Sequence, residues 1–365
     1  MCYSTRATRP KFPPKVRDLT ASLLSIATAV PPFPVSQEGA KATGRALFAG
    51  KKALFDRLSG VFDNAGIDER QLVAPLSWYG ENHGWGERNR TYLAAADALF
   101  LDAARGAIER AGLRPDEIDG VVAVSTTGIA TPSLDARNAV ALGLRPDVRR
   151  VPVFGLGCAG GVSGLATAGR MACADPGSKW LFVTVETCSI SIRLDSDDPA
   201  AIVATALFGD GSAAAVLSTS GTALAHVEGS GERLWPGTLE IMGWRVEDPG
   251  LAVVFDRAIP PFLEANLRAG LDAILGDLGL DFGDIDRLCS HPGGAKVLTA
   301  MESALGLQTG TLDVERTVLR EHGNMSAPTV LFVLEALLAR GLPSRTLMTA
   351  LGPGFTLAAL SLKRP

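Results

Sequence analysis

The stretch Val151 to Gly164, VPVFGLGCAGGVSG, holds a cysteine, Cys158, inside a G-x-G-x-x-G run formed by Gly155, Gly157 and Gly160. Two chemistries use such a loop. In a dinucleotide-binding turn it follows a strand, opens a helix and is answered by an acidic residue that takes a ribose hydroxyl. Glu186, at the end of WLFVTVE, stands where that acid would be. In a nucleophile loop the glycines instead let the chain turn tightly and let a bulky thioester approach. A cysteine at a helix start has its thiolate favoured by the free N–H groups and the helix dipole, and further by a nearby imidazolium. Its own amide N–H can then serve an oxyanion hole. Only the second chemistry gives Cys158 a purpose.

A thiol nucleophile needs a base and hydrogen-bond donors. His291, in SHPGGAKVL, sits where a strand ends before Pro292-Gly293-Gly294, a place where side chains face a cleft. Asn324, in HGNMSAP, precedes a helix that it can also cap. His322 is the rival to His291, while His83 and His226 read as surface residues of polar loops. Cys173, Cys188 and Cys289 read as buried and inert. The five cysteines form no C-x-x-C pair and the four histidines no ligand spacing, so no metal site is expected.

These residues must be brought together by the elements around them. Strand-like and helix-like stretches alternate, which predicts an α/β fold. ARGAIERAGLRPDEIDGVVAVS and LDAILGDLGLDFGDIDRLCSHP share a helix, a Gly-Leu stop and an E/D-I-D entry into a strand, with Ile118 and Ile285 167 residues apart. The same offset carries Cys158 to Met325, next to Asn324. Two copies of one unit therefore place Cys158, His291 and Asn324 at neighbouring ends of equivalent elements. The division is residues 1–18 as a loose arm, 19–221 as the half with the cysteine, and 222–365 as the half with His291 and Asn324. Lys41 to Gly60 and Arg90 to Gly112 are expected to be helical. The apolar run from Leu19 to Val30 resembles a secretory signal, but Asp18 abuts it and Pro31-Pro32 crowd its end, so a buried strand of 4–8 residues is expected.

Composition sets outer limits. The chain has 365 residues, 47% of them apolar, a net charge of −4 and mean hydropathy +0.19, which fits a large dry core and no nucleic-acid face. No stretch reaches the roughly 18 apolar residues of a membrane span. Free thiols in an odd count point to a reducing cytoplasm.

With these residues in hand, the chain resembles the type III polyketide synthases, the chalcone-synthase-like branch of the thiolase-fold condensing enzymes. VFGLGCAGG, SHPGGAKVL, HGNMSAPTVLFVL, ALFGDGSAAAVL and LGPGFT match in order, over roughly residues 20–363. The resemblance implies two duplicated halves in five layers, α-β-α-β-α, a homodimer, and Cys158, His291 and Asn324 as a catalytic triad acting on acyl-CoA and malonyl-CoA without metal or redox cofactor. It implies Arg57 as a contact for CoA phosphates. Thr126, Ser191, Ser326, Gly352, Pro353, Gly354 and Phe355 are implied as pocket residues, and Thr131 as the one that reaches into a partner subunit. Phe208 matches one gatekeeper phenylalanine; at the second, this chain has Val253, which leaves room that phenylalanine would fill. That open gate favours a long fatty-acyl starter and an alkylpyrone or alkylresorcinol product. Synthases that start from short or malonyl units, a ketoacyl-ACP synthase III and a non-catalytic acyl-binding subunit are the alternatives.

Overall fold

The computed structural model describes residues 20–193, 198–256 and 258–365. The arm at 1–18 lies outside the described residues. The first half runs β1 (Ala21–Ala29), β2 (Phe33–Ser36), α1 (Gln37–Leu47), α2 (Lys52–Leu58), α3 (Gly60–Asp63), β3 (Glu69–Leu72) and α4 (Trp85–Arg110). It continues with β4 (Gly120–Val124), α5 (Leu134–Leu142), β5 (Arg149–Val153), α6 (Gly160–Ala174), β6 (Trp180–Thr187), α7 (Pro199–Leu207) and β7 (Asp210–Ser218). The second half runs β8 (Ala225–Leu234), β9 (Met242–Glu247), β10 (Gly250–Phe255), α8 (Ile259–Leu278), β11 (Arg287–Ser290) and α9 (Ala295–Leu305). It closes with α10 (Asp313–His322), α11 (Thr329–Arg340), β12 (Arg345–Gly352) and β13 (Thr356–Lys363).

The strand order β11-β12-β13-β8-β1-β7-β6-β4-β5 is symmetric about the β8–β1 joint, with β5 the one strand lacking a counterpart. That joint is short, pairing Ala21–Leu23 with Ala225–Val227. The repeat seen in the sequence is thus structural: Ile118 and Ile285 each follow a short 3-10 turn and lead into β4 and β11. Its acidic residues have a local task. Asp119 accepts the Lys179 amide at 2.8 Å and Asp286 accepts the Arg345 amide at 2.8 Å, so each copy pins the start of its next parallel strand.

Strand periodicity explains the layering. Val122, Val124 and Phe182 face one core with α6 and α11, whereas Val121, Ala123, Leu181 and Val183 face another with α4. In the second half Met348, Ala350 and Leu360 face the shared core, while Leu347, Leu357 and Ala359 face α8 and α9. A strand with two buried faces has no polar side, which is why EIDGVVAVS reads as a continuous apolar run. The result is five layers, with α6 and α11 sandwiched between the half-sheets.

The first strand is longer than expected, nine residues, because it lies at the centre of the sheet and pairs with both β7 and β8. The helical region at 41–60 is broken at Phe48–Lys51. His83 and His226 are not loop surface residues. His83 is buried and stacks on Trp78 with ring centroids 4.0 Å apart, and His226 lies on β8 beside the Ser22 hydroxyl at 3.1 Å.

The central helices meet closely. A Cβ on Gly161 would lie 2.3 Å from the Ala327 carbonyl oxygen, and one on Gly164 would lie 2.3 Å from the Phe182 ring. By contrast, a Cβ on the exposed Gly276 of α8 would meet nothing within 4 Å. Gly161→Ala is therefore expected to lower stability by about 1–3 kcal/mol or more through overpacking. Gly276→Ala should raise it by about 0.5–1 kcal/mol through backbone entropy. Thermal melting of the two variants checks this; an unchanged Tm for Gly161→Ala would contradict the close packing.

Candidate active site

Cys158 lies in a one-turn 3-10 segment, Gly157–Ala159, that runs straight into α6. The turn is held by two neighbours. The Gly157 amide donates to the Thr126 hydroxyl at 3.1 Å, and Glu186 accepts the amides of Thr126 and Thr127 at 3.0 Å and the Thr127 hydroxyl at 2.8 Å. From the other side comes the turn joining β12 to β13. A Cβ on Gly352 would lie 2.5 Å from the Leu156 carbonyl oxygen, and one on Gly157, at φ +47, would lie 2.6 Å from the Pro353 ring. Only glycine allows that contact, which accounts for Gly352-Pro353 and for the glycine before the cysteine.

Asn324 is fixed by a chain crossing. Its amide N–H donates to the Leu207 carbonyl at 2.8 Å, and its carbonyl accepts the Gly209 amide at 3.1 Å. A Cβ on Gly209 would strike the His322 carbonyl oxygen at 2.3 Å. The side chain is equally constrained: Oδ1 accepts the Ser326 amide at 2.8 Å and Nδ2 donates to the Gly293 carbonyl at 3.2 Å. Nδ2 carries a second hydrogen that this arrangement leaves over. Ser326 adopts φ +58, an uncommon conformation for a residue with a Cβ. Arg70, fully buried, donates to the Phe208 carbonyl at 3.1 Å and closes the crossing.

His291 follows β11, its amide donating to the Thr349 carbonyl at 2.8 Å. Glu315 accepts the amide of the preceding Ser290 at 3.1 Å. Both ring nitrogens of His291 are buried and have no partner among the described residues. Such atoms are costly unless a ligand satisfies them.

Cys158, His291 and Asn324 line one cavity with about 820 Å³ of space, part of it open to solvent. Its remaining wall is mostly apolar, including Val203, Leu207, Ile259, Val297, Met301 and Leu357. A second, smaller chamber of about 320 Å³ also opens on Cys158 and is lined by Phe208, Trp244, Val253, Ser326 and Pro353. Met242 and Phe255 border both.

Of the other expected residues, Phe355 lines the large cavity and Phe208, Val253, Ser326 and Pro353 the small one. Thr126 sits behind the cysteine turn, and Gly352 and Gly354 shape the β12–β13 turn. Ser191 does not line either cavity; its hydroxyl donates to the Cys188 carbonyl at 2.6 Å. Thr131 is exposed, in the loop that carries exposed Ile129, and Arg57 is exposed on α2, a helix packed against α7. His322 is no rival to His291: it bonds Gln71 at 2.8 Å and packs on Phe332.

Two expectations need correction. Val253 does not leave an open gate, because Trp244 and Phe255 crowd Phe208 at ring distances of 5.7 and 5.5 Å. Trp244, Phe255 and Met242 were missed by the sequence reading; the signal was their alternation with Val253 along two short strands. The helix start also does not by itself give a thiolate. Burial pushes the Cys158 thiol up to about 12, outweighing the contact with Ser326, and burial pushes His291 down to about 3. Either charge alone is disfavoured. A proton moved from Cys158 to His291 would leave the net charge unchanged and create opposite charges that attract in a dry site.

With His291 as the expected acceptor of the Cys158 proton, His291→Ala should leave Cys158 with its raised pKa. Alkylation by iodoacetamide at pH 7 is expected to slow by about tenfold or more, in proportion to the lost thiolate. Its pH profile should shift to higher pH. An unchanged profile would show that His291 does not activate the thiol.

Comparison with known proteins gives the family. The N-terminal domain of chalcone and stilbene synthases matches residues 82–221, and the C-terminal domain matches residues 227–364. The 1,3,6,8-tetrahydroxynaphthalene synthase of Streptomyces peucetius subsp. caesius is 37% identical over 348 residues, spanning 93% of this chain and 92% of that one. The crystal structure of the corresponding Streptomyces coelicolor enzyme superposes with a TM-score of 0.88 at 28% identity, over 94% of this chain and 99% of that one. The C-terminal type III polyketide synthase domain of Steely1 from Dictyostelium does so with 0.87 at 27% identity, over 94% and 99%. The chain belongs to the chalcone and stilbene synthase family of type III polyketide synthases, enzymes of decarboxylative condensation with malonyl-CoA, and has their thiolase-like fold.

Proposed function

We propose that this synthase loads a fatty-acyl group from acyl-CoA onto Cys158, extends it with malonyl-CoA, and closes the product to an alkylpyrone or alkylresorcinol. The observation that carries the starter assignment is the apolar wall of the large cavity, which begins at Cys158 and continues along Ile259, Val297, Met301 and Leu357. Methylene groups fit such a wall at about 0.8 kcal/mol each.

In this mechanism the Cys158 thiolate attacks the starter thioester carbonyl and CoA leaves as its thiol, taking the proton that His291 received. Malonyl-CoA then enters. His291 and the free Nδ2–H of Asn324 hydrogen-bond its thioester carbonyl as the C–C bond to the carboxylate breaks, releasing CO2 and leaving an enolate. The enolate carbon attacks the acyl carbon on Cys158 and expels the sulfur as thiolate; that thiolate then attacks the lengthened CoA thioester, recapturing the chain and releasing CoA as its thiol. Each step uses Cys158, His291, Asn324 and thioester chemistry, so the proposal assigns no metal or redox cofactor. Glu186 and Thr126 position the cysteine turn and do not react.

Arg57 remains the proposed contact for CoA phosphates, on a helix that backs α7 and its cavity residues Val203 and Leu207. Exposed Ile129, Val140 and Phe154 support a homodimer that would bring Thr131 toward the partner's site. A reducing cytoplasm suits a reactive thiol. No helix among the described residues is long and apolar enough to cross a membrane.

A second reading, a synthase that starts from malonyl units alone, is favoured by the 37% identity to the Streptomyces peucetius enzyme and by the small chamber beside Cys158. Purified protein with malonyl-CoA and a ladder of acyl-CoA starters from acetyl to stearoyl decides between them. Long-chain pyrones or resorcinols are expected by mass spectrometry; products from malonyl-CoA alone, indifferent to added starters, would overturn the fatty-acyl assignment. Asn324→Ala should lower malonyl decarboxylation by about 100-fold, the usual cost of one lost donor to a developing oxyanion. It should leave acyl transfer to Cys158 intact, and equal loss of both steps would contradict the role given to Asn324.

A further inference from the structure

We infer that Glu315 is a positioning residue for malonyl decarboxylation: it ties α10 to β11 and so fixes Asn324 relative to His291. The inference rests on the proposed role of those two side chains as donors to the malonyl thioester and concerns what keeps them in register. β11 lies at one edge of the nine-stranded sheet, so its backbone is paired on one side only, by β12. Its counterpart in the first half, β4, is paired on both sides, and there the amide of Ser125, just past the strand, donates to the Val153 carbonyl of β5 at 3.3 Å. The second half has no strand in that place.

A side chain substitutes for it. Glu315, fully buried in the first turn of α10, accepts the amide of Ser290, the last residue of β11, on Oε1 at 3.1 Å. Its Oε2 accepts Nη2 of Arg287, the first residue of the same strand, at 2.8 Å. Arg287 is itself anchored, donating to Asp313 Oδ1 at 3.2 Å and to the Thr311 carbonyl. The carboxylate is thus held at both oxygens and grips both ends of β11. His291 follows directly on Ser290, and its own amide is held from the β12 side by the Thr349 carbonyl at 2.8 Å. α10 ends at His322, and after Gly323 the chain reaches Asn324. One carboxylate therefore joins the strand that delivers His291 to the helix that delivers Asn324. Two donors that must meet on one developing oxyanion depend on such a link, because their stabilisation falls steeply when either is displaced.

The test measures malonyl-CoA decarboxylation by wild type, Glu315→Leu, Glu315→Gln, Asn324→Ala and the double variant Asn324→Ala/Glu315→Leu, each checked for folding by thermal melting. Glu315→Leu leaves the Ser290 amide without its acceptor and should lower kcat by about tenfold or more, with KM for malonyl-CoA unchanged. Glu315→Gln keeps an oxygen for that amide and should retain most of the wild-type kcat. In the Asn324→Ala background Glu315→Leu should cost far less than it does alone, because no pair of donors is left to keep in register. A role in stability alone would instead give the same fold-loss in both backgrounds. That result, or an unchanged kcat in folded Glu315→Leu, would overturn the inference. Normal decarboxylation by Asn324→Ala would overturn the donor role and this inference with it, whereas loss in Asn324→Ala without loss in Glu315→Leu overturns this inference alone. If Glu315→Leu does not fold, Glu315→Ala, which removes the same acceptor with a smaller side chain, carries the test.

Discussion

The site depends on one steric fact: the first turns of the two central helices touch backbone to backbone. Gly161 of α6 leaves no room for a Cβ against the Ala327 carbonyl, and a Cβ on Gly160 would lie 2.7 Å from the Val124 side chain. Because α6 begins just after Cys158 and α11 just after Asn324 and Ser326, bringing the two starts together brings the functional groups together. The buried strands on either side then hold the helices by apolar contact on both faces. His291 arrives from the strand that the internal symmetry makes the counterpart of β4, the one leading to Thr126. A duplicated unit thus brings Cys158 from one copy to the same cavity as His291 and Asn324 from the other.

Polar groups around this junction fall into two sets. Glu186, Glu315 and Asp210 are buried carboxylates whose oxygens meet backbone amides or hydroxyls: Thr126 and Thr127, Ser290, and Val73 with Ser189. They hold turns in place. Burial pushes Glu186 and Glu315 up to about 7 and Asp210 up to about 6, against those hydrogen bonds. The second set is kept open: both nitrogens of His291 and one hydrogen of Asn324 Nδ2 have no partner among the described residues. Buried donors held in place and left unsatisfied are what an oxyanion-binding site requires, since they need no reorganisation when charge develops. The cost of leaving them unpaired is borne by the rigid frame of the first set.

Much of this was legible in the residues. The 167-residue offset located the symmetry, and the glycines around Cys158 located the turn, because both leave local signatures. The apolar strands gave the α/β class for the same reason. The gate was not legible. Position 253 reads as open in one dimension, but a strand residue is judged by its partner across the hairpin, and the register that pairs Val253 with Trp244 is a property of the fold. The state of the thiol was also out of reach: helix position favours the thiolate, and the opposing desolvation depends on how completely distant segments enclose the sulfur. Ser191 was misplaced because its hydroxyl finds a carbonyl three residues back, a local choice that a motif does not specify.

In the proposed mechanism Cys158 is the residue that carries the chain. Incubating the enzyme with an acyl-CoA in the absence of malonyl-CoA, then quenching in acid and mapping peptides by mass spectrometry, tests this directly. One acyl group on the peptide containing Cys158, with Cys173, Cys188 and Cys289 unmodified, is the predicted result. Acylation at another residue, or a protein that turns over acyl-CoA with no covalent adduct at Cys158, would contradict the mechanism and the reading of the cavity built on it.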